Sequence, residues 1–207
     1  MGIETARNQN LLYHLTKLSN LESIIEHVML PRRKVIEQGL GFEDIADAKI
    51  ISKRQELGLD SYTPFHFHPY SAFDVAVKNT YRNEDMIYLC ITRRKAQHDN
   101  YKILPKHPLS VSECQLYNYD EGFEKIDWET LQEKNRHDSY AKQVKMAECL
   151  TDKTIYINEF YCMYVKSDIV KDKVIKILND KRVVFPPPNI YIQEVWFKVQ
   201  EERRLLW

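Results

Sequence analysis

Apolar and polar positions follow regular periods along most of the chain, and this pattern predicts a mixed α and β domain. Residues 10–16 alternate as a strand, with Tyr13 and Leu15 on one face and His14 and Thr16 on the other. By the same criteria we predict further strands at 85–92, 153–165, 182–185 and 190–197, and helices at 21–28, 44–57, 72–78, 129–137 and 168–179. Because no repeat or linker interrupts these segments, we expect a single domain over residues 1–207.

A carboxylate stands out in the stretch 138–150, where apolar residues recur at helical spacing. Glu148 follows Val144 by four positions and so lies at the margin of the apolar stripe. A half-buried carboxylate of this kind can be held in a fixed orientation toward a substrate. The alternative is an ordinary helix-face ion pair with Lys145. The residues before Glu148 look helical and those after it look extended, so it can also lie at a junction.

Two further residues have spacing that suits an anionic ligand. His14 ends the first strand just before a helix that Asn20 can cap, and free backbone N–H groups attract anions at such a junction. Arg54 lies near the end of the helix 44–57, where a guanidinium could hold a diphosphate. The alternatives are a satisfied half-buried histidine and a cation that complements a helix C-terminus.

The segment 61–71 has the most unusual composition, with two prolines around alternating histidines and phenylalanines. His66 and His68 are predicted on one face of an extended segment, with the phenylalanines on the other. Together with His14 they could form a three-histidine metal site, but no acidic residue or cysteine stands in the same segment. We therefore favour an aromatic pocket wall and expect no metal. Ser71 is predicted to cap the next helix.

The charge balance limits the kinds of partner. The chain has 30 Lys and Arg residues and 30 Asp and Glu residues, so it cannot coat nucleic acid by net charge, and any polyanion site must be local. The basic cluster Arg93, Arg94 and Lys95 is either a solvated surface or a contact for a phosphate backbone.

Cysteine usage and hydropathy indicate the compartment. The cysteines Cys90, Cys114, Cys149 and Cys162 are scattered without metal-like spacing, as is typical of a reducing cytosol. The first residues have no apolar signal core, and no apolar run reaches the roughly 20 residues that span a bilayer. We expect a cytoplasmic protein that does not insert into a membrane.

Five motifs in order resemble the DarT family, toxins that attach ADP-ribose from NAD to bases of single-stranded DNA. The motifs are Tyr13-His-Leu-Thr16 followed by Asn20, then Arg54, then the segment from Pro64 to Ser71, then Ile126-Asp-Trp128, and finally Met146-Ala-Glu-Cys-Leu150. The resemblance implies an α+β, mono-ADP-ribosyltransferase-like fold of two small, mostly antiparallel sheets with helices around an NAD cleft. It also implies an NAD-dependent mono-ADP-ribosyltransferase that releases nicotinamide.

The resemblance assigns roles to individual residues. It implies that Glu148 is the catalytic carboxylate and that Arg54 holds the diphosphate and assists catalysis. The positions that match the family's NAD-binding motifs are His14, Thr16, Asn20, Arg54, Phe65, Phe67 and Ser71. The implied partners are single-stranded DNA and a macrodomain antitoxin of the DarG type, and we expect a monomer.

The acceptor is less well defined than the donor. Where the family's substrate loop is expected, this chain has Ser112-Glu-Cys-Gln115 and then Leu116-Tyr-Asn-Tyr-Asp120, which differ from the family's pattern. RNA or protein as acceptor, a catalytically silent NAD- or nucleic-acid-binding module, and a metal-dependent nuclease remain alternative hypotheses.

Overall fold

The computed structural model describes residues 2–107, 115–183 and 187–198. In this part of the chain, seven strands form one sheet. They are β1 (Leu11–Lys17), β2 (Thr63–His66), β3 (Met86–Thr92), β4 (Lys102–Leu104), β5 (Glu148–Thr151), β6 (Cys162–Val165) and β7 (Asn189–Ile192). The strand order is β4-β5-β2-β1-β3-β6-β7, and each neighbouring pair is antiparallel except β6 with β7. The predicted α+β class is confirmed, with one sheet of seven strands in place of two small ones.

Helices connect and cover the strands. They are α1 (Leu21–His27), α2 (Arg32–Glu37), α3 (Ala48–Glu56), α4 (Ala72–Thr80), α5 (Arg93–His98), α6 (Tyr119–Lys125), α7 (Trp128–Gln132), α8 (Ser139–Val144), α9 (Asp168–Asp180) and α10 (Glu194–Phe197). Short 3-10 turns lie at Ile3–Asn8, Leu18–Asn20, Leu59–Ser61 and Ile157–Glu159. Polar caps define several helix starts: the carboxylate of Asp47 accepts from two backbone N–H groups of α3, and Ser71 begins α4 with the predicted cap.

The core lies on both faces of the sheet, which explains the apolar run in β3. Ile87 and Leu89 belong to a cluster on one face, whereas Tyr88 and Cys90 belong to a cluster on the other. Strands buried on both faces read as nearly continuous apolar sequence. Because a fully buried large apolar side chain contributes about 1.5–3 kcal/mol, β3 is a main source of stability.

Several predicted elements are shorter or of another type. The predicted strand 153–165 is a strand only at β6, and an isolated bridge joins Ile155 to Met29 earlier in that segment. The predicted helix 129–137 ends at Gln132, and Trp196 lies in α10 and not in a last strand. The predicted strand 182–185 lies only partly within the described residues, where Arg182 and Val183 form no strand.

Two sequence interpretations need correction. Glu148 is the first residue of β5 and not part of a helix, because α8 already ends at Val144. Lys145 does not pair with it: its ammonium group donates to the carbonyl oxygens of Glu133 and Arg136. The helical spacing near Glu148 therefore ends at the turn that leads into the strand.

Arg93 is not part of a solvated or DNA-facing cluster, because its guanidinium is buried. It donates to the carbonyl oxygens of Ala6 at 2.6 Å and Arg7 at 2.8 Å, and it lies 5.1 Å from the centre of the Phe67 ring. A buried cation is tolerated only when its donors are satisfied, as they are here. Arg93 thus ties the N-terminal turn to the core.

The cysteines within the described residues carry free thiols. Cys90, Cys149 and Cys162 are buried. Cys114 lies outside the described residues, as do Ser112 and Glu113 of the expected substrate loop, whereas residues 115–120 of that loop are described.

Candidate functional site

A cavity of about 190 Å³ opens where β1, β2 and β5 lie side by side. Its walls also include α3 and the segment 42–46, which precedes that helix. The predicted site residues that line it are His14, Thr16, Asn20, Arg54 and Glu148. The fold therefore brings together five residues that are scattered over more than half of the sequence.

An ion pair between Arg54 and Glu148 forms the centre of the cavity. One nitrogen of the guanidinium, Nη1, donates to both carboxylate oxygens, at 2.9 and 2.8 Å. The two side chains are only 12% and 6% exposed. A pair this well shielded is coupled strongly, and removal of one partner leaves an uncompensated buried charge. The cavity thus holds a carboxylate and a guanidinium in direct contact.

The turn 59–61 holds a second nitrogen of the Arg54 guanidinium, one that does not donate to Glu148. The Nη2 group of Arg54 reaches the Leu59 carbonyl oxygen at 3.4 Å. The neighbouring Asp60 accepts two hydrogen bonds from Arg33, at 3.1 and 2.8 Å. This bidentate pair holds the turn in place and so limits the positions open to Arg54. Asp60 lines the cavity, and the sequence contained no periodic signal that would identify it.

His14 is a neutral imidazole with a defined tautomer. Its Nδ1 lies 2.8 Å from the Pro64 carbonyl oxygen, which can only accept, so Nδ1 carries the proton. Burial lowers the pKa of His14 to about 4. Nε2 is therefore a free lone pair at neutral pH, able to accept a hydrogen bond but not to provide positive charge.

Asn20 secures the segment that covers the cavity. Its side-chain amide donates to the Glu43 carbonyl oxygen at 3.0 Å and accepts from the Glu43 N–H at 2.8 Å. The same amide donates to the Thr16 hydroxyl at 3.1 Å. With these bonds, Asn20 and Thr16 join β1 to the segment 42–46.

Phe65, Phe67 and Ser71 lie behind the cavity wall and do not line it. The Phe65 ring packs 5.6 Å from the ring of His14, and Phe67 packs edge-on against Trp128 at 5.3 Å. The Ser71 hydroxyl accepts from the Asp74 N–H at 3.0 Å as the cap of α4. Within the described residues, these three side chains support the wall from the core side.

The two histidines of the segment 61–71 have different surroundings. Both ring nitrogens of His68 bond to backbone, one to the Lys145 carbonyl oxygen at 2.9 Å and one to the Tyr70 N–H at 3.1 Å. Burial lowers the pKa of His68 to about 3. His66 lines the cavity, and its buried Nδ1 has no hydrogen-bond partner within the described residues. No cluster of three or more metal-ligating side chains occurs in the described ranges.

The sequence of the chain matches a known family. Residues 13–198 match the family model described as DarT, ssDNA thymidine ADP-ribosyltransferase. The chain belongs to the DarT family. This membership confirms the predicted family and the predicted activity, ADP-ribosyl transfer to a base in single-stranded DNA, and the DarT description names thymidine as the acceptor.

Solved DarT structures share the fold. Thermus sp. 2.9 DarT in complex with ADP-ribosylated ssDNA is 21% identical with a TM-score of 0.78, over 92% of this chain and 97% of that one. Thermus sp. 2.9 DarT in complex with NAD+ is 18% identical with a TM-score of 0.73, over 91% of this chain and 98% of that one. Thermosipho africanus DarTG in complex with ADP-ribose is 19% identical with a TM-score of 0.74, over 92% of this chain and 52% of that one.

Two further findings concern relatives among curated proteins and helices that could cross a membrane. No curated protein matches this DarT chain significantly. In the described part of the chain, no helix combines the length and the apolar character needed to cross a bilayer.

Proposed function

We propose that this chain transfers ADP-ribose from NAD to thymine in single-stranded DNA and releases nicotinamide. The observation that supports this most directly is the shielded pair of Arg54 and Glu148, which lines the cavity between β1, β2 and β5 in a chain that belongs to the DarT family. The NAD+ and ADP-ribosylated ssDNA bound to the Thermus proteins agree with this donor and acceptor. The family description favours DNA over RNA or protein as the acceptor.

Glu148 is the catalytic carboxylate in this proposal. Cleavage of the bond between nicotinamide and ribose leaves positive charge at the ribose carbon, and a fixed carboxylate stabilises that charge as it develops. The position of Glu148 at the start of β5 suits this role, because β2 and β4 hold the strand on both sides. A carboxylate on a paired strand keeps its orientation better than one on a loop.

Arg54 binds the diphosphate in this proposal. Its guanidinium is occupied by Glu148 before the substrate binds, so an incoming diphosphate must compete with the carboxylate for Nη1. The exchange leaves Glu148 free to meet the ribose. Arg54 acts in this proposal through the positive charge and the hydrogen-bond donors of its guanidinium.

The remaining predicted residues bind or support the substrate. The free Nε2 of His14 accepts a hydrogen bond from a substrate hydroxyl or amide. Thr16 and Asn20 hold the covering segment over the bound molecule. Phe65, Phe67 and Ser71 keep the wall behind His14 rigid.

The test uses matched oligonucleotides that contain or lack thymine. After incubation with NAD, mass spectrometry should show one added ADP-ribose only on single strands that contain thymine. Glu148→Ala should abolish the product, whereas Glu84→Ala, which changes an exposed carboxylate outside the cavity, should not. Modification of RNA or protein with no DNA product would refute the acceptor, and full activity of Glu148→Ala would refute the site.

Single-stranded DNA and a macrodomain antitoxin are the proposed partners. The second rests on the likeness to Thermosipho africanus DarTG, a chain about twice as long as the region matched here. Expression of this chain alone should be toxic, and coexpression of a macrodomain that removes ADP-ribose should restore growth. We further propose that the chain acts as a cytoplasmic monomer with a single domain.

A further inference from the structure

His66 occupies a central position in the site that the proposed roles leave without a function. It is the last residue of β2, and in the antiparallel pairing with β5 it lies directly opposite Glu148. Side chains directly opposite each other on antiparallel strands lie on the same face, with Cβ atoms about 4.5–5.5 Å apart. Both residues line the same cavity. His66 is therefore an immediate neighbour of the catalytic carboxylate.

The Nδ1 atom of His66 is a buried polar atom without a partner. The residue is 6% exposed, and no hydrogen bond from the described residues reaches this nitrogen. Leaving a buried donor or acceptor unpaired costs about 1–3 kcal/mol, so most such atoms in folded proteins are paired. An unpaired Nδ1 beside Glu148 indicates that its hydrogen-bond partner is bound to another group when no substrate is present.

The neighbouring histidines show that the fold can satisfy imidazoles in this region. His14 uses Nδ1 on the Pro64 carbonyl oxygen, and His68 uses both nitrogens on backbone groups. Both are fixed to the protein frame by these bonds. His66 has no comparable bond at Nδ1, although it lies between them in sequence. Its unpaired nitrogen is thus a particular property of this position.

Arg54 occupies the carboxylate of Glu148, which is the group that His66 could otherwise bind. It supplies the hydrogen bonds to both oxygens of Glu148 from a single nitrogen atom. If the diphosphate of NAD draws this guanidinium away, a carboxylate with 6% exposure loses the one side chain that donates to it within the described residues and must find another donor. The residue directly across the strand pair is His66.

We propose that His66 is a positioning residue for Glu148: once Arg54 has moved to the diphosphate, Nδ1–H of His66 donates to the carboxylate and fixes its orientation toward the ribose. This inference rests on the proposed function. The exchange replaces one hydrogen-bond donor with another and keeps the total charge of the cavity residues unchanged. It explains why a buried nitrogen beside the catalytic group has no partner in the state described here.

Kinetics of three variants test this role. His66→Phe keeps an aromatic ring and removes both nitrogens; we expect kcat to fall about tenfold to a hundredfold, the value of a hydrogen bond to a charged group, with KM for NAD within twofold. His66→Asn places an amide nitrogen near the position of Nδ1 and should restore much of kcat. His66→Gln places its amide nearer the position of Nε2 and should restore little. If His66 had only a structural role, His66→Asn and His66→Gln would not differ in kcat in this way.

A second measurement observes the nitrogen of His66 in the wild-type protein and does not depend on the His66 variants folding. With a non-cleavable NAD analogue, the 15N signal of His66 Nδ1 should move to a hydrogen-bonded value in the wild type but not in Glu148→Ala. The proposal is overturned if this signal is unchanged by the analogue, if His66→Phe retains kcat within twofold, or if it raises KM alone. Absence of any wild-type product on thymine-containing single strands would instead refute the proposed function, because the nitrogen signal reports on binding and not on turnover.

Discussion

Glu148→Gln should bind NAD more tightly than the wild type while it reacts far more slowly. The substitution keeps the size and shape of the side chain and removes its charge. In the wild type, both carboxylate oxygens hold Nη1 of Arg54 in a nearly buried pair, and NAD must break these two bonds to reach the guanidinium. In the variant this competition is weaker, because a neutral amide holds a guanidinium less strongly than a carboxylate does.

The expected size follows from those two bonds. Hydrogen bonds to charged groups contribute about 1.5–3 kcal/mol, and about 1.4 kcal/mol corresponds to a tenfold change in affinity. In the proposed mechanism Glu148 also binds the ribose, which offsets part of the gain, so we expect Kd for NAD to fall about threefold to tenfold. Loss of the charge that stabilises the transition state should lower kcat by about a hundredfold or more.

Isothermal titration with a non-cleavable NAD analogue measures the affinity, and nicotinamide release measures the rate. Glu84→Gln makes the same chemical change in a carboxylate that pairs with Lys17 outside the cavity, and it should alter neither quantity. If Glu148→Gln binds the analogue more weakly than the wild type, then Arg54 does not exchange its partner and the proposed role of the ion pair is wrong.

Three further substitutions give measurable outcomes. Asp60→Asn weakens the bidentate pair with Arg33, which holds the turn 59–61 beside Arg54. Steady-state kinetics should therefore show KM for NAD raised about threefold, with kcat nearly unchanged. His68 has a pKa of about 3 when folded and about 6.5 when unfolded, so the unfolded state binds more protons as the pH falls. His68 should therefore account for a loss of about 1.6 kcal/mol in the free energy of unfolding between pH 6.5 and 5, measured by urea unfolding. His68→Gln should lose that much less than the wild type, and equal losses would contradict this assignment. Asn20→Ala removes two bonds to the backbone of Glu43 and should lower the free energy of unfolding by about 1–2 kcal/mol.

The sequence predicted those parts of the fold that depend on local pattern. The alternation around His14, the apolar run of β3 and the cap at Ser71 each follow from neighbouring residues, and each was confirmed. The motif order identified the family, although no single motif would have done so.

The sequence did not predict features that depend on distant partners. The spacing of apolar residues before Glu148 is helical, but pairing with β2 and β4 places that residue on a strand. Arg93 looked like a surface cation because its charge is visible in the sequence, whereas the backbone carbonyls that satisfy it are not. The contact between Asp60 and Arg33 also lacks a local signal, since side-chain pairing of this kind arises only after folding.

Arg54 and Glu148 lie 94 residues apart, and Glu148 reaches Arg54 because β5 pairs with β2 and β4. A ribosome that is still synthesising the chain cannot have built the site before residue 148 has emerged and β5 has inserted between β2 and β4. If Arg54 and Glu148 carry the reaction, as we propose, then a chain truncated before β5 cannot hold the pair and should be inactive.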